Sequence, residues 1–407
     1  MNRAAAILLL SLPLFGQPLP DGPLEARVPF YGQELIYRYS PAAAPGPAPL
    51  LVIADAAWDF WQPAAAARGW SVAALSNLAP APSDTYAKAL ETVVADALQR
   101  LGGDSPRVYL AGTGRAVPAV FFARGRVPHL WAAAFAALGD PRPAIDSNRL
   151  FTANAELVPL LWAGRPEDEA VRVRLHAAGY PFEWREAAQL KPGEETQFLA
   201  AHARRPHPPR IDCETGSLAF GRCYWLEIVK ADPARRNDVL TRSRVTPGSG
   251  ASLALGGFGY DPAAPGPGVE VVWLPDNYSG PLKLKDRIVS VGGRKIADGR
   301  DYVRFLDETR EEKPVAVLVQ RGKERMRLET RIALAPREEN VTARVRAEWS
   351  EETRELLILS RGVAALRVLL PAAWGPAALN WNGQVTGKAD AAGCWLADGG
   401  WRRCPVP

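Results

Sequence analysis

The chain has 407 residues, 47% of them hydrophobic and 23% charged. This length exceeds one typical core, so we expect two or three domains. The formal charge is +5, from 49 Lys and Arg against 44 Asp and Glu. Both signs are interleaved along the chain, which argues against a nucleic-acid partner. After the amino terminus, no segment has the uninterrupted apolar run of a membrane span.

The first stretch, MNRAAAILLLSLPLFG (1–16), has the pattern of a secretory signal, with Arg3 followed by an apolar run and Gly16. We predict a signal peptide and a periplasmic or secreted bacterial protein. An uncleaved anchor is the alternative.

The four cysteines fit an oxidising compartment. Cys213 and Cys223 are separated by nine residues, as are Cys394 and Cys404, and neither spacing is the short one of a zinc site. We predict the disulfides 213–223 and 394–404, no metal and no cofactor. The other two pairings of four cysteines, or a reduced state, stay open.

Residues 17–205 alternate apolar strands with helical segments, the order typical of a mostly parallel sheet covered on both faces. We predict strands at 34–39, 50–54, 71–75, 107–111, 131–137, 158–163 and 182–186. We predict helices at 83–101, 116–123, 167–178 and 194–203.

The central stretch of this region is RVYLAGTGRAVPAVFF (107–122), a strand that breaks at small residues and restarts as a helix. In serine hydrolases such a junction is the nucleophile elbow, G-x-S-x-G. Gly112, Gly114 and Ala116 match its three marked positions, so glycine stands where the serine belongs. A shift of one residue puts Thr113 at the nucleophile but Arg115 where a small residue is needed.

On these residues the region resembles the α/β-hydrolase fold, especially secreted bacterial esterases and depolymerase-like proteins. The resemblance implies an acid after a late strand, which Asp168 or its neighbour Glu167 matches. It also implies a histidine beyond the last strand, where this sequence has Gln189 and no histidine. His176 and His202 do not match that place.

We therefore expect a degenerate hydrolase domain with no catalytic residues and with Asp168 as a remnant of the acid. The loop at 54–58, Ala-Asp-Ala-Ala-Trp, also departs from the H-G-G-x form of an oxyanion loop. Acyl transfer needs a nucleophile, a base and a group that orients the base. The alternative is a serine or threonine esterase in which Thr113 or Ser147 acts with His129.

Residues 206–244 and 337–407 have strand character without following helices, and Asn382-Gly383 indicates a hairpin turn. Both parts resemble the all-β module that follows the hydrolase fold in secreted esterase-like proteins, so we predict one module split by an insertion. Five tryptophans in its second part raise carbohydrate binding as a further alternative, while core packing is the expectation for most of them: Trp349, Trp374, Trp381, Trp395 and Trp401.

The insertion, 245–336, contains KDRIVSVGG at 285–293, which is similar to the G-D-x-I-x-x-V-N-G core of bacterial PDZ domains, with Lys285 in place of glycine. A helix predicted at 301–312 has apolar residues on one face. The resemblance implies a groove that adds an extended C-terminal peptide to a sheet edge, with loop N–H groups holding the terminal carboxylate. The candidate peptide-binding residues are Gly257, Phe258, Gly259, Tyr260, Tyr302, Phe305 and Leu306.

The fold class expected is therefore multidomain: a hydrolase-like α/β domain, a PDZ-like β-rich α+β domain and a small all-β module. The expected function is that of an exported, non-catalytic protein that binds protein or peptide C-termini. If the glycines at 255–260 form only a turn and the helix face is only core, the groove does not exist.

Overall fold

A computed structural model describes residues 22–55, 57–234, 240–248, 250–261, 264–334, 341–390 and 392–404. The predicted signal at 1–16 lies outside the described residues. None of the helices in these ranges is both long enough and apolar enough to cross a membrane.

The first domain is built on one eight-stranded sheet with the order β1-β2-β4-β3-β5-β6-β7-β8. The first two strands and the β2–β4 pair are antiparallel, and the remaining pairs are parallel. The strands are β1 (Leu24–Phe30), β2 (Gln33–Ser40), β3 (Leu50–Ile53), β4 (Ser71–Leu75), β5 (Val108–Thr113), β6 (Ala133–Ala137), β7 (Leu160–Gly164) and β8 (Glu183–Glu186).

Helices cover both faces of this sheet, as predicted for the α/β class. They are α1 (Trp58–Ala66), α2 (Asp84–Leu101), α3 (Val117–Arg126), α4 (Arg142–Asp146), α5 (Thr152–Ala155), α6 (Glu169–Ala177) and α7 (Glu194–Ala200). Alternate strand residues point to opposite faces. Leu50 and Val52 join one core with α2, α3 and α6, whereas Leu51 and Ile53 join another with α1 and α7.

The β module consists of two five-stranded sheets that draw on both parts of the chain. One has the order β10-β11-β21-β24-β25 and the other β23-β22-β20-β19-β9. The strands are β9 (Arg210–Thr215), β10 (Arg222–Cys223), β11 (Leu226–Ala231), β19 (Ala343–Ser350), β20 (Glu355–Arg361), β21 (Val363–Leu370), β22 (Ala377–Trp381), β23 (Gln384–Ala389), β24 (Gly393–Ala397) and β25 (Trp401–Arg403). Disulfides join Cys213 to Cys223 and Cys394 to Cys404, the pairing expected from their spacing.

The inserted domain has a third sheet, with the order β12-β18-β17-β15-β14-β13 and the short β16 beside β15. Its elements are β12 (Ser252–Leu253), β13 (Gly259–Tyr260), β14 (Val269–Trp273), β15 (Arg287–Val291), β16 (Arg294–Lys295), α8 (Gly299–Glu308), β17 (Lys313–Arg321) and β18 (Glu324–Ala333). The helix begins two residues earlier and ends four residues earlier than the sequence suggested. Asp298 caps it by accepting a hydrogen bond of 2.8 Å from the N–H of Asp301.

Lys285 stands before β15 with a φ of +68°. This is the left-handed conformation in which glycine carries no Cβ penalty, so the residue expected from the resemblance to be glycine does adopt a glycine-like backbone. The next residue, Asp286, is buried and accepts a bidentate pair from Arg321, at 2.9 and 2.7 Å. Burial alone would raise the pKa of Asp286. The hydrogen bonds from Arg321 and from the N–H of Lys283, together with the charges of these two residues, hold that pKa below its ordinary value.

The first domain contacts both of the other parts. Phe220, from a turn of the β module, is buried in the core of the first domain. Arg174 of α6 pairs with Asp307 of α8 at 2.6 Å. The inserted domain therefore rests on the first domain through its only α-helix in the described residues.

Candidate functional site

The elbow between β5 and α3 has the backbone of a nucleophile turn. Gly114 has a φ of +53°, between a strand that ends at Thr113 and a single 3-10 turn that leads into α3. A Cβ on Gly112 would lie 2.8 Å from Val120 Cγ2 and 3.1 Å from the Cβ of Ala116. Because Gly112 and Ala116 must both be small for the helix to cross the strand, the register in which Gly114 holds the nucleophile position fits the geometry better.

The space in front of Gly114 is open. A Cβ built on this residue would meet no atom within 4 Å. The turn could therefore present a side chain, but the residue supplies only hydrogen. Arg115, the next residue, is exposed.

Thr113, the nucleophile of the alternative register, is held by Asp55. Its hydroxyl donates to Asp55 Oδ2 at 2.9 Å, and its N–H donates to the same oxygen. The other oxygen, Oδ1, accepts from the N–H of Ala57 at 2.7 Å. Asp55 follows β3, where a hydrolase has its oxyanion loop. An acceptor carboxylate thus lies where an oxyanion site needs donors.

Asp168 lies after β7, where the resemblance implied the acid, but it closes its own turn. Its Oδ2 accepts from the N–H of Arg165 at 2.8 Å. Burial raises the pKa of this carboxyl group, against the effect of the nearby Arg165. Glu167 is exposed and lies 3.4 Å from the Arg165 guanidinium. Neither carboxylate orients an imidazole.

All four histidines of the chain lie in described ranges, and their contacts are far from the elbow. The His202 ring packs at a tilt against Phe198, and the His202 carbonyl accepts from the Tyr109 hydroxyl, near the start of β5. His176 packs on Phe182, just before β8 begins. The elbow follows the last residue of β5, and each strand residue adds about 3.3 Å of length. The first residues of the parallel strands therefore lie at the opposite end of the strands from the elbow. His207 belongs to the β module, with its ring 6.4 Å from Trp374.

His129, the base of the alternative, precedes β6 and contacts Glu91 through Nε2 at 3.4 Å. Burial lowers the pKa of His129. Burial would raise the pKa of Glu91, but hydrogen bonds from His129 and Lys88 bring it to about 2. Ser147 instead donates its hydroxyl to the carbonyl of Ala144 at 2.6 Å. The structure does not bring His129 together with Thr113 or Ser147. Gln189, in the usual place of the base, is exposed and donates to Glu186.

The loop at 255–260 and helix α8 form the second candidate site. Gly256 has a φ of +82° and Gly257 is exposed. Among the described residues, no acceptor bonds to the N–H groups of Gly256, Gly257 and Phe258. The Tyr278 hydroxyl donates to the carbonyl of Leu255 at 2.5 Å and so braces the loop. The braced loop leads directly into β13, which stands at the edge of its sheet.

Of the helix residues expected to line a groove, two are core residues. Tyr302 is 1% exposed and makes an edge-to-face contact with Tyr260, with ring centroids 5.1 Å apart. Leu306 is also buried. Phe305 is partly exposed, as are Phe258 and Tyr260 of the loop and strand. These three aromatic side chains are the ones that a ligand could reach.

The five tryptophans of the carbohydrate alternative pack in or against the core of the β module. Trp349 and Trp374 are buried and stacked, with ring centroids 5.2 Å apart. Trp381, Trp395 and Trp401 are partly buried. No exposed aromatic platform is formed by these residues. The described ranges also hold no cluster of three or more His, Cys, Asp or Glu that could bind a metal ion.

Neither a family model nor a curated protein matches the sequence. Solved structures match part of it. A thermostable esterase is 16% identical, with a TM-score of 0.33, over 45% of this chain and 63% of its own. A lipase/esterase from Lactobacillus plantarum is 11% identical, with a TM-score of 0.32, over 40% and 90%. A carboxylesterase from Lactobacillus plantarum WCFS1 is 12% identical, with a TM-score of 0.32, over 40% and 82%.

These structural neighbours are esterases, and each covers less than half of this chain. The chain in turn spans less than two thirds of the thermostable esterase. The described residues form a multidomain protein with an α/β domain, and the solved structures that match part of it are esterases.

Proposed function

We propose that this is an exported, non-catalytic protein that binds the C-terminal ends of proteins or peptides through a PDZ-like inserted domain, carried on a hydrolase-like domain. The observation that carries the proposal is the glycine loop at 256–258, next to the edge strand β13. Its three N–H groups have no acceptor among the residues that the structure describes. The two disulfides accord with export, since disulfides persist in oxidising compartments.

Successive N–H groups in a left-handed or turn conformation form a concave site for an anion. Gly256 supplies the positive φ, and Tyr278 fixes the loop from behind. A peptide whose terminal carboxylate is held there would run along β13. The outer N–H and C=O groups of β13 lie at a sheet edge and are available for strand addition.

The other wall of such a groove is α8. Phe305 presents a partly exposed ring, and the Arg294 guanidinium lies 5.4 Å from the ring centroid. With Phe258 and Tyr260 opposite, the groove offers aromatic surface for the last side chain of a peptide. We therefore expect C-termini that end in an apolar residue to be preferred.

The test is a display library of random peptides with free C-termini, followed by fluorescence polarisation of the selected sequence on the full chain. The free acid should bind, and the amidated form should bind at least about tenfold more weakly, because it lacks the charge. Phe305→Ala should weaken binding by a similar factor.

The matched control is Leu328→Ala, a partly buried side chain on β18, at the far side of the sheet from β13. It should leave the affinity unchanged. Equal binding of acid and amide would contradict the carboxylate loop, and failure to select any peptide would contradict the groove.

A displaced hydrolase is the second candidate, because the Thr113 hydroxyl lies 2.9 Å from the Asp55 carboxylate at the elbow. We expect no reaction of the wild-type protein with a fluorophosphonate probe and no turnover of p-nitrophenyl acetate, since no imidazole accompanies this pair.

Gly114→Ser should fold, with a loss of about 1–2 kcal/mol for a side chain in the left-handed region, and should also stay unlabelled. Mass mapping of the probe and chemical denaturation check both points. Thr113→Val is the control that removes the hydroxyl. Labelling of the wild type that disappears in Thr113→Val would favour the hydrolase.

A further inference from the structure

The first domain has a groove on the face of its sheet that α1 and α7 cover. Its volume is about 1010 Å³, and its walls come from α1, the residues before β4, and the segment from β8 into α7. The lining is mainly apolar, with the exposed ring of Phe60 at one side and Trp70 deeper in. Small-molecule sites typically have this size and lining, with a few polar groups that fix the ligand.

One ionisable side chain in this groove has no partner. Glu195 lines the groove, is only 5% exposed, and makes no hydrogen bond or ion pair with any residue that the structure describes. Neither carboxylate oxygen is among the buried side-chain atoms without a partner, so the small exposed area includes these oxygens, which reach the groove. A carboxylate on a side chain that the protein covers almost wholly, with no protein partner, calls for an explanation.

The position of Glu195 in the first turn of α7 does not supply that explanation. A first-turn carboxylate favours the helix dipole whether or not it is buried. The adjacent Glu194 already fills this role while it is solvated. It accepts from the N–H of Lys191 and contacts Arg185 at 3.3 Å.

The two cations of the groove do not neutralise Glu195 either. Arg68 donates through Nε to the hydroxyl of Thr196 at 2.9 Å and lies over the Trp70 ring. Arg68 and Lys191 are both exposed, so water screens their charges. The least exposed charged side chain of the groove is therefore the negative one.

We propose that this groove is a binding site for a protonated organic amine with an apolar body. The ammonium would pair with the Glu195 carboxylate, and the hydrocarbon part would pack on Phe60 and the α1 wall. Phe60 could add a cation–π contact, because its ring is 56% exposed. This site is independent of the elbow and of the inserted domain.

The experiment uses the full chain and n-hexylammonium as the probe at pH 7, with n-hexanol as the uncharged probe of equal chain length. The amine should bind in calorimetry and raise the melting temperature with concentration. The alcohol should bind at least about tenfold more weakly. Glu195→Gln should abolish that difference between amine and alcohol.

Glu194→Gln is the matched control, because it removes the neighbouring carboxylate, which does not line the groove, and should keep the preference for the amine. Phe60→Ala, at an exposed position, should weaken both probes, and it serves as the second variant if Glu195→Gln fails to fold. Equal binding of amine and alcohol, or an unchanged preference in Glu195→Gln, would overturn the proposal, as would unchanged binding in Phe60→Ala.

Discussion

Replacing Phe220 with alanine should lower the free energy of unfolding by about 3–5 kcal/mol, the usual cost of removing a buried phenylalanine side chain. Phe220 belongs to a turn of the β module, yet its ring lies in the core of the first domain. The Arg126 guanidinium lies 4.2 Å from its centroid, and the Lys88 ammonium lies 4.9 Å from it on α2. The substitution therefore removes apolar burial and two cation–π contacts together.

Chemical denaturation followed by tryptophan fluorescence measures this effect. In the variant we also expect the β module and the first domain to unfold in two separate transitions instead of a single shared one. The control is Leu218→Ala, in the same turn but 47% exposed, which should change stability by less than about 0.5 kcal/mol. Similar losses in the two variants would show that Phe220 does not join the domains.

Replacing Glu214 with alanine should cost about 3 kcal/mol, because it leaves three buried or partly buried donors without an acceptor at about 1–3 kcal/mol each. Glu214 lies in the buried end of β9 and is 1% exposed. One oxygen accepts from the Thr342 hydroxyl at 2.5 Å, and the other accepts from the N–H and hydroxyl of Ser243 at 2.7 and 2.8 Å.

Thermal or denaturant unfolding measures the loss, and Glu214→Gln should lose less, because an amide oxygen still accepts from one side. Glu227→Ala is the control in the same module. Glu227 pairs with Arg367 at a surface where both side chains are more than a third exposed, so its removal should cost no more than about 1 kcal/mol. A cost for Glu214→Ala as small as that of the control would contradict the role of this carboxylate.

Elements with local start and stop signals were predictable from the sequence. Ser83 accepts from the N–H of Tyr86 at the start of α2, and Gly102 ends that helix in the left-handed conformation, as their residue types indicate. The elbow was equally readable, since the small residues of its motif are those that the crossing of strand and helix requires.

Four elements of the first domain were not predicted: β1, α1, α4 and α5. Two of them, β1 and α1, carry weak local signals. β1 contains Pro29, which lowers its strand character, but an edge strand tolerates proline. α1 has Pro63 inside it and begins after Ala57, which makes no side-chain cap. Both elements form because they bury apolar side chains in the cores on the two faces of the sheet. This stabilisation comes from tertiary packing, which a local sequence pattern does not show.

The residues of the candidate sites likewise divide into those with a local sequence signal and those that only tertiary packing brings together. Gly114 and the glycine loop at 256–257 could be found by motif. The contact of Asp55 with Thr113 joins residues 58 positions apart, and Asp55 gave only a hint, by following a buried strand directly. Glu195 gave no hint, because an acid in the first turn of a helix is ordinary and its burial depends on tertiary packing.

The carboxylate of Glu214 holds Ser243 and Thr342 at once, and these residues lie just outside the two ends of the inserted domain. The chain thus leaves the β module and returns to it at nearly one point. Such an arrangement permits the insertion to be exchanged. A short linker could replace the whole inserted domain, or another binding domain with neighbouring termini could be grafted in its place, without altering the path of the rest of the chain.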